Sequence, residues 1–321
     1  MPTPEEIVVT TLFNQSDNIA DQILYNDPVT AILADAGRVK RKAGGYELRY
    51  PLMYNTTAVG GFYSGAEAFN LDMTDDATAM VFAIKQAYEP VSITGREKRG
   101  NRDTEQLVDL LDLKIQAAIN RLKNTWSTSL RGDGTAFGGK ALDGIVKAVS
   151  TTPTSGSYGG HTRSTNSFAQ NQAVTISGGF TAANVQAEIT DMMMRITRGS
   201  ESPDVGLLGR DVWKALHSSL TAIQRITKSD NKALAGFKTL QFDGIDFVHD
   251  GGYGGAVTSV SQARLLNSKY WELALIRDAD FKPVDKNKEM IRPVDQDAWF
   301  TTILAEGNLC CSAPQLQIVG S

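Results

Sequence analysis

Three histidines and two cysteines are the scarcest chemistry-bearing residues of this 321-residue chain. His161, His217 and His249 lie far apart, and none stands at ligand spacing from another histidine or from a cysteine. A zinc site built from His and Cys therefore does not fit, because such sites draw on ligands at short, recurrent spacings. Cys310 and Cys311 are neighbours. Successive residues of a strand point to opposite faces, so the two are poorly placed to bond to each other and read as reduced thiols. The members of a Ser-His-Asp triad need not be close in sequence. However, no Gly-x-Ser-x-Gly elbow is present to anchor one. His217 falls in a helical pattern, His161 in a Gly/Ser/Thr loop, and His249 ends an apparent strand.

Gly134-Thr135-Ala136-Phe137-Gly138-Gly139-Lys140 matches the Gly-x4-Gly-Lys of a phosphate-binding loop. Position 141 is Ala, where that motif needs the hydroxyl of Ser or Thr for magnesium. The segment also follows a long helical pattern, whereas a phosphate loop leaves a buried strand. A glycine-rich helix exit explains it better. Gly251-Gly252-Tyr253-Gly254-Gly255 lacks dinucleotide-binding spacing, and Arg131-Gly132-Asp133, Asn14-Gln15-Ser16 and Asn55-Thr56-Thr57 are chance-level strings. No catalytic residue, cofactor or metal is expected.

Composition narrows the function classes further. The chain is 41% hydrophobic and 21% charged, as for a globular protein with a sizeable core. Its formal net charge of −4 argues against a dedicated DNA-coating protein, which would be basic. Met1–Glu6 is acidic and has no apolar h-region, so no signal peptide is expected. No stretch approaches the roughly 18 apolar residues of a membrane span, and no membrane partner is expected.

The elements that would position any site follow from periodicity. Residues 16–36 show short helical patterning, interrupted by Asn26-Asp27-Pro28, with Pro28 able to start the next helix. Residues 45–54 alternate as a strand, and a second strand-like stretch runs over 78–94. The intervening Asn55–Ala77 is too long for a tight turn. It contains no Lys or Arg but carries Glu67, Asp72, Asp75 and Asp76 together with Phe62, Tyr63, Phe69 and Leu71. An isolated hairpin is at best marginally stable in water. Its apolar tip would find partners most naturally on another chain; the competing expectation is that it folds onto its own domain.

The spacing predicts a long helix over 103–130. Asp103 and Gln106 read as a capping box, Leu107, Leu111, Ile115, Ala118, Leu122, Trp126 and Leu130 form one face, and Gly132 stops it. At 1.5 Å per residue it would span about 42 Å. Residues 151–172 read as a loop. Beyond them come a helix from Thr181 to Ile196, a buried strand at 204–208, a helix over 210–221 and strands around the Asp243-Gly244 turn. Strand-like runs at 270–276, 299–304 and 315–319 are expected to rejoin a sheet beside the long helix.

This order of short helices, long hairpin, spine helix, α/β region and returning strands resembles the major capsid proteins of tailed phages. Gly44-Gly45-Tyr46-Glu47-Leu48-Arg49-Tyr50-Pro51-Leu52 is similar to the family's first hairpin strand, and Leu130–Thr135 to its spine-helix exit. Gly139–Gly144 and Arg163–Phe168 resemble the stretches that follow in one branch. The resemblance implies an α+β chain with the Hong Kong 97-type capsid fold: an N-terminal arm at 1–37, an extended loop at 38–99, a peripheral domain at 100–139 and 258–321, and an axial domain at 140–257. It implies a homo-oligomer of hexamers and pentamers that forms an icosahedral head around double-stranded DNA, held nonspecifically. A portal, and separate scaffolding and decoration proteins, are the further partners it implies. The location would be the virion, after assembly in the host cytoplasm. Some members cross-link subunits through a loop Lys; with no Lys in 55–77, none is expected from this tip. The arm is short, so no fused scaffolding segment is expected.

The charge pattern suits a contact between copies. Arg38, Lys40, Arg41 and Lys42 precede the acidic loop, and Arg96, Lys98, Arg99 and Arg102 follow it. The expectation is that one tip lies on the basic base of another subunit, with charge setting the register and Phe62, Tyr63 and Phe69 supplying buried area. In the competing expectation both basic runs face solvent or DNA. Three readings remain distinct: a phage or encapsulin-type shell subunit, a nucleotide-binding enzyme using Gly134–Lys140, and a monomeric binding module.

Overall fold

The structure is a computed structural model that describes residues 28–54, 61–66, 76–100, 104–220, 239–249, 260–283 and 292–321. Its first element is helix α1 (Pro28–Asp35), opened by Pro28, whose fixed φ suits a first helical position. Val29, Ile32 and Leu33 are buried beneath it. The basic run that follows is a strand, β1 (Val39–Lys42).

The hairpin strands are β2 (Glu47–Met53) and β3 (Ala77–Ala83), paired antiparallel over seven residues from Glu47↔Ala83 to Met53↔Ala77. The expected single strand over 78–94 is two. At Ile84 the chain leaves the hairpin and begins β4 (Lys85–Thr94), which belongs to another sheet. A short helix α2 (Gly95–Gly100) turns the chain into α3 (Thr104–Arg131). Thr94 and Glu97 form a reciprocal capping box at the start of α2: the Thr94 amide donates to the Glu97 carboxylate, and the Glu97 amide donates to Thr94 Oγ1. Asp103, the expected cap partner of Gln106, lies outside the described residues.

α3 is the expected spine, with 28 residues and a length of about 42 Å. Ile115, Ala118, Ile119, Leu122, Trp126 and Leu130 are buried along one face. They pack on a four-stranded sheet of order β1-β12-β13-β4, formed with β12 (Trp271–Pro283) and β13 (Ala298–Cys311). β4 runs antiparallel to β13 without a break, from Thr94↔Ala298 to Lys85↔Gly307. β12 bulges between Leu275 and Lys282, and Phe281 adopts φ 53° there. The bulge turns the Phe281 ring inward, edge-on to Trp126 at 5.5 Å. Residues 299–304 and 270–276 are thus parts of much longer strands.

At the exit of α3, a turn at 136–139 leads to a short helix α4 (Ile145–Ala148). A Cβ on Gly144 would come within 2.3 Å of the Gly132 carbonyl, so only glycine allows the chain to cross the helix end here. The 151–172 segment is not featureless. It holds a small hairpin of β5 (Ser157–Tyr158) and β6 (His161–Thr162), and β7 starts at its end (Gln172–Val174). Helices α5 (Val185–Ile196) and α6 (Arg210–Ser219) flank β8 (Val205–Leu208). β9 (Thr239–Phe242) and β10 (Ile245–His249) form the hairpin expected at Asp243-Gly244.

These strands build a six-stranded mixed sheet of order β7-β14-β11-β8-β10-β9, with β11 (Ala263–Leu266) and β14 (Ile318–Gly320). Residues 258–321, expected as one block beside the spine, therefore divide between the two sheets. β12 and β13 join α3, while β11 and β14 enter the six-stranded sheet. All four residues of β11 are buried, as befits a central strand. The second core cluster, including Ile189, Met192, Val212, Leu216, Phe247 and Ile318, lies between this sheet and α5 and α6. Among the described residues, no helix is long and apolar enough to cross a membrane.

Candidate assembly surfaces

The hairpin stem is anchored to its own chain. Leu48, Met80 and Phe82 are buried and belong to the same core as the spine. The Val81 amide donates to the Gly159 carbonyl at 3.0 Å, and His161 Nε2 meets the Ala79 carbonyl at 2.9 Å. Phe82 stacks edge-on against Tyr158 at 5.2 Å. Tyr54, just past β2, packs on Phe168 at 5.2 Å, and Phe168 in turn on His161 at 4.9 Å. A supported stem corrects the idea of a hairpin with no footing of its own. The support came from β5 and β6, which lie within the segment read as a loop.

Asn308 fixes the root. Its side chain is fully buried in β13; Nδ2 donates to the Ala83 carbonyl and to Asp143 Oδ2, both at 2.9 Å, while Oδ1 accepts from the Asp143 amide. Asp143 also pairs with Lys147. One amide thus joins the end of β3, the spine exit and the central strand of the sheet. A lone Asn in an apolar strand carries no sequence signal for this role.

Beyond the stem the surface changes. Phe62 is fully exposed and Tyr63 is 64% exposed. Asp76 is exposed as well, and its carbonyl accepts from the Tyr54 amide at 3.1 Å. Glu67, Phe69, Asp72 and Asp75 lie outside the described residues.

The first basic run is committed within its own chain. Lys40 and Lys42 both pair with Glu272 of β12, at 3.1 and 3.0 Å, and Tyr50 donates to the same carboxylate at 2.8 Å. Arg41 pairs with the buried Asp280. Parallel pairing of β1 with β12, Lys40 against Ala274 and Lys42 against Ile276, brings these cations to Glu272 and Asp280. Burial opposes ionisation of Glu272, but hydrogen bonds from Lys42, Tyr50 and Lys40 outweigh it and hold the carboxyl below its usual range. Arg38 places its guanidinium Nε in a buried position and its carbonyl on the Leu273 amide. In the second run Arg99 pairs with Asp297 at 2.8 Å across an exposed surface, Arg96 is exposed, and Lys98 lies in α2. Arg102 lies outside the described residues. The Lys114 ammonium, together with the Thr94 amide, holds the Glu97 carboxyl down at about 2.

The remaining chemistry-bearing residues fall into structural places. Cys310 and Cys311 are buried and unbonded, and burial pushes both thiols up, Cys311 to about 12. His217 sits in the last turn of α6, and His249 packs its ring against Trp213. The Gly134–Lys140 segment leaves the C-terminus of α3 and follows no strand, unlike a phosphate-binding loop. Among the described residues, no group of three His, Cys, Asp or Glu is placed to hold a metal.

No family model matches the chain, and no curated protein matches it in sequence. Solved structures do. The capsid asymmetric unit of cyanophage A-1(L) is 13% identical, aligned over 90% of this chain and 91% of that one, with a TM-score of 0.61. The capsid of the Myoviridae phage XM1 is 11% identical over 88% and 87%, with a TM-score of 0.54. The virus-like particle from Pyrococcus furiosus is 10% identical over 97% and 99%, with a TM-score of 0.51. These alignments extend over most of both chains, and the chain has the Hong Kong 97-type capsid fold.

Proposed function

We propose that this chain is a major capsid protein that self-assembles, as hexamers and pentamers, into the icosahedral head of a tailed phage. The observation that carries this reading is the likeness to the cyanophage capsid over nine-tenths of both chains. The anchored hairpin supports it: past a stem packed on its own core, Phe62 and Tyr63 are exposed, as a contact between copies needs. No reaction is required of such a subunit. Copies would hold packaged double-stranded DNA weakly and without sequence preference, in keeping with a net charge of −4. A portal, and separate scaffolding or decoration proteins, would complete the head, built in the host cytoplasm and retained in the virion. In this reading the four-stranded sheet and α3 form the peripheral unit, and the six-stranded sheet with α5 and α6 the axial unit.

Size-exclusion chromatography with negative-stain microscopy of the purified chain tests the proposal. Closed shells are expected; a species eluting near 34.7 kDa at every concentration overturns it. Reversing Asp72, Asp75 and Asp76 to Lys is expected to hinder assembly, and normal shells from that variant reject a contact made by the acidic tip. A second reading, an encapsulin-type compartment around protein cargo, is favoured by the near-complete alignment with the Pyrococcus furiosus particle. Nuclease-protected DNA inside shells made during infection separates the first reading from the second.

A further inference from the structure

A pocket of about 160 Å³ opens between β4, the C-terminal half of α3 and the turn after it. Trp126, itself buried, lines it together with Leu142, while Tyr88 and Phe137 stand at its edge, each 70% exposed. An apolar cavity of about 150 Å³ takes up one benzene molecule, so this pocket has room for one phenyl ring. Phe137 is held at φ 54°, a left-handed conformation that disfavours any residue with a Cβ. Gly138 and Gly139 beside it adopt that region at little cost. The chain thus keeps a strained, exposed aromatic at the edge of an apolar pocket.

Lys85 and Lys140 also line the pocket, and the Lys85 ammonium donates to the Gly139 carbonyl at 2.9 Å. These cations complement the hairpin tip, where Asn55–Ala77 has four carboxylates and no Lys or Arg. The tip of the same chain is at the wrong end. The pocket lies beside Lys85–Tyr88, next to the root of the stem, whereas the chain leaves the stem towards Phe62 at Met53, the far end. Six residue steps at about 3.3 Å put roughly 20 Å between the two ends. The first basic run, in turn, is already engaged with Glu272 and Asp280.

We propose that this pocket receives the Phe62 ring from the hairpin tip of a second copy of the chain, the negative charge of that segment complementing Lys85 and Lys140. The inference rests on the shell-building reading and deepens it by naming the receptor. The test puts a photo-crosslinking phenylalanine analogue, p-benzoylphenylalanine, at position 62 of the full chain and images wild-type protein in parallel. Irradiated shells mixed from isotope-labelled and unlabelled copies should yield covalent dimers whose adducts map between chains to residues 85–88, 125–129 or 137–142. Shells whose adducts map elsewhere, or only within one chain, overturn the pocket and leave the shell intact. Wild-type protein that forms no shells overturns both.

If the bulky analogue blocks assembly, a disulfide pair reads the same contact. Oxidised Phe62→Cys/Tyr88→Cys shells should run as a ladder of multimers, while Phe62→Cys/Met194→Cys shells, with the second cysteine on the exposed face of α5, should not. Absence of a ladder in the first pair, or equal ladders in both, overturns the proposal.

Discussion

The stem and the tip of the hairpin are built on opposite principles. The stem buries Leu48, Met80 and Phe82 and is tied at Ala79, Val81 and Tyr54 to residues 157–168 of its own chain. The tip leaves Phe62 and Tyr63 in solvent. A two-stranded ribbon alone is marginal; here the spine core, Asn308 at the root and the small β5–β6 hairpin together hold the stem. In the shell-building proposal, a fixed direction lowers the ordering cost of a later contact at the far end. Stability should therefore reside in the stem and association in the tip.

The sharpest separation comes from Phe82→Ala. Removing this buried ring should cost about 3–5 kcal/mol, read as a lower Tm with faster amide exchange in β2 and β3. An unchanged Tm would mean that the stem is not held as described. Asn308→Ala should follow, at about 1–3 kcal/mol, because it strips the buried Asp143 carboxylate and the Ala83 carbonyl of their donor. Chemical denaturation would show it, and exchange should rise at both ends of the broken contact.

Glu97→Gln probes the hinge between β4 and the spine. The Lys114 contact lowers this carboxyl from 4.5 to about 2, so the folded state binds its proton less readily than the unfolded chain. That contribution is fully present above the unfolded value and is lost as pH falls from about 4.5 towards 2. Because the carboxylate is 40% exposed, solvent screening limits it to about 1 kcal/mol or less. The variant's unfolding free energy should fall less steeply than wild type across that window, and parallel profiles would remove Glu97 from the account. Phe62→Ala should have the smallest effect on folding, within about 0.5 kcal/mol, yet it should reduce assembly in light scattering. A large loss of Tm in Phe62→Ala would place the tip within the fold of its own chain and collapse the contrast with the stem.

Much of this frame was legible where one periodicity persists. The 45–54 strand, the spine from its apolar face, the buried strand before α6 and the hairpin at Asp243-Gly244 all appear close to their expected places. The misses have physical causes. β1 is Val-Lys-Arg-Lys, whose strand identity comes from pairing with β12 and from carboxylates more than 200 residues away. At the change of sheets near Ile84 the buried positions shift from even (Met80, Phe82) to odd (Val91, Ile93), but no Gly or Pro marks the break, so 78–94 reads as one strand. β5, β6 and β11 are too short to show a period, and the 151–172 stretch is dominated by Thr, Ser and Gly. Of the candidate site, the acidic and aromatic composition of 55–77 is plain in the sequence, while Glu67, Phe69, Asp72 and Asp75 lie outside the described residues. The partner of the first basic run was not legible, because spacing alone cannot tell whether Lys40 and Lys42 face another copy or Glu272.

Cryo-electron microscopy of the purified chain at a resolution that traces side chains tests the central claim most directly. The account predicts closed icosahedral shells in which residues 54–76 of each copy lie across a neighbouring copy. Monomers, or shells in which that segment packs back onto its own chain, would contradict it.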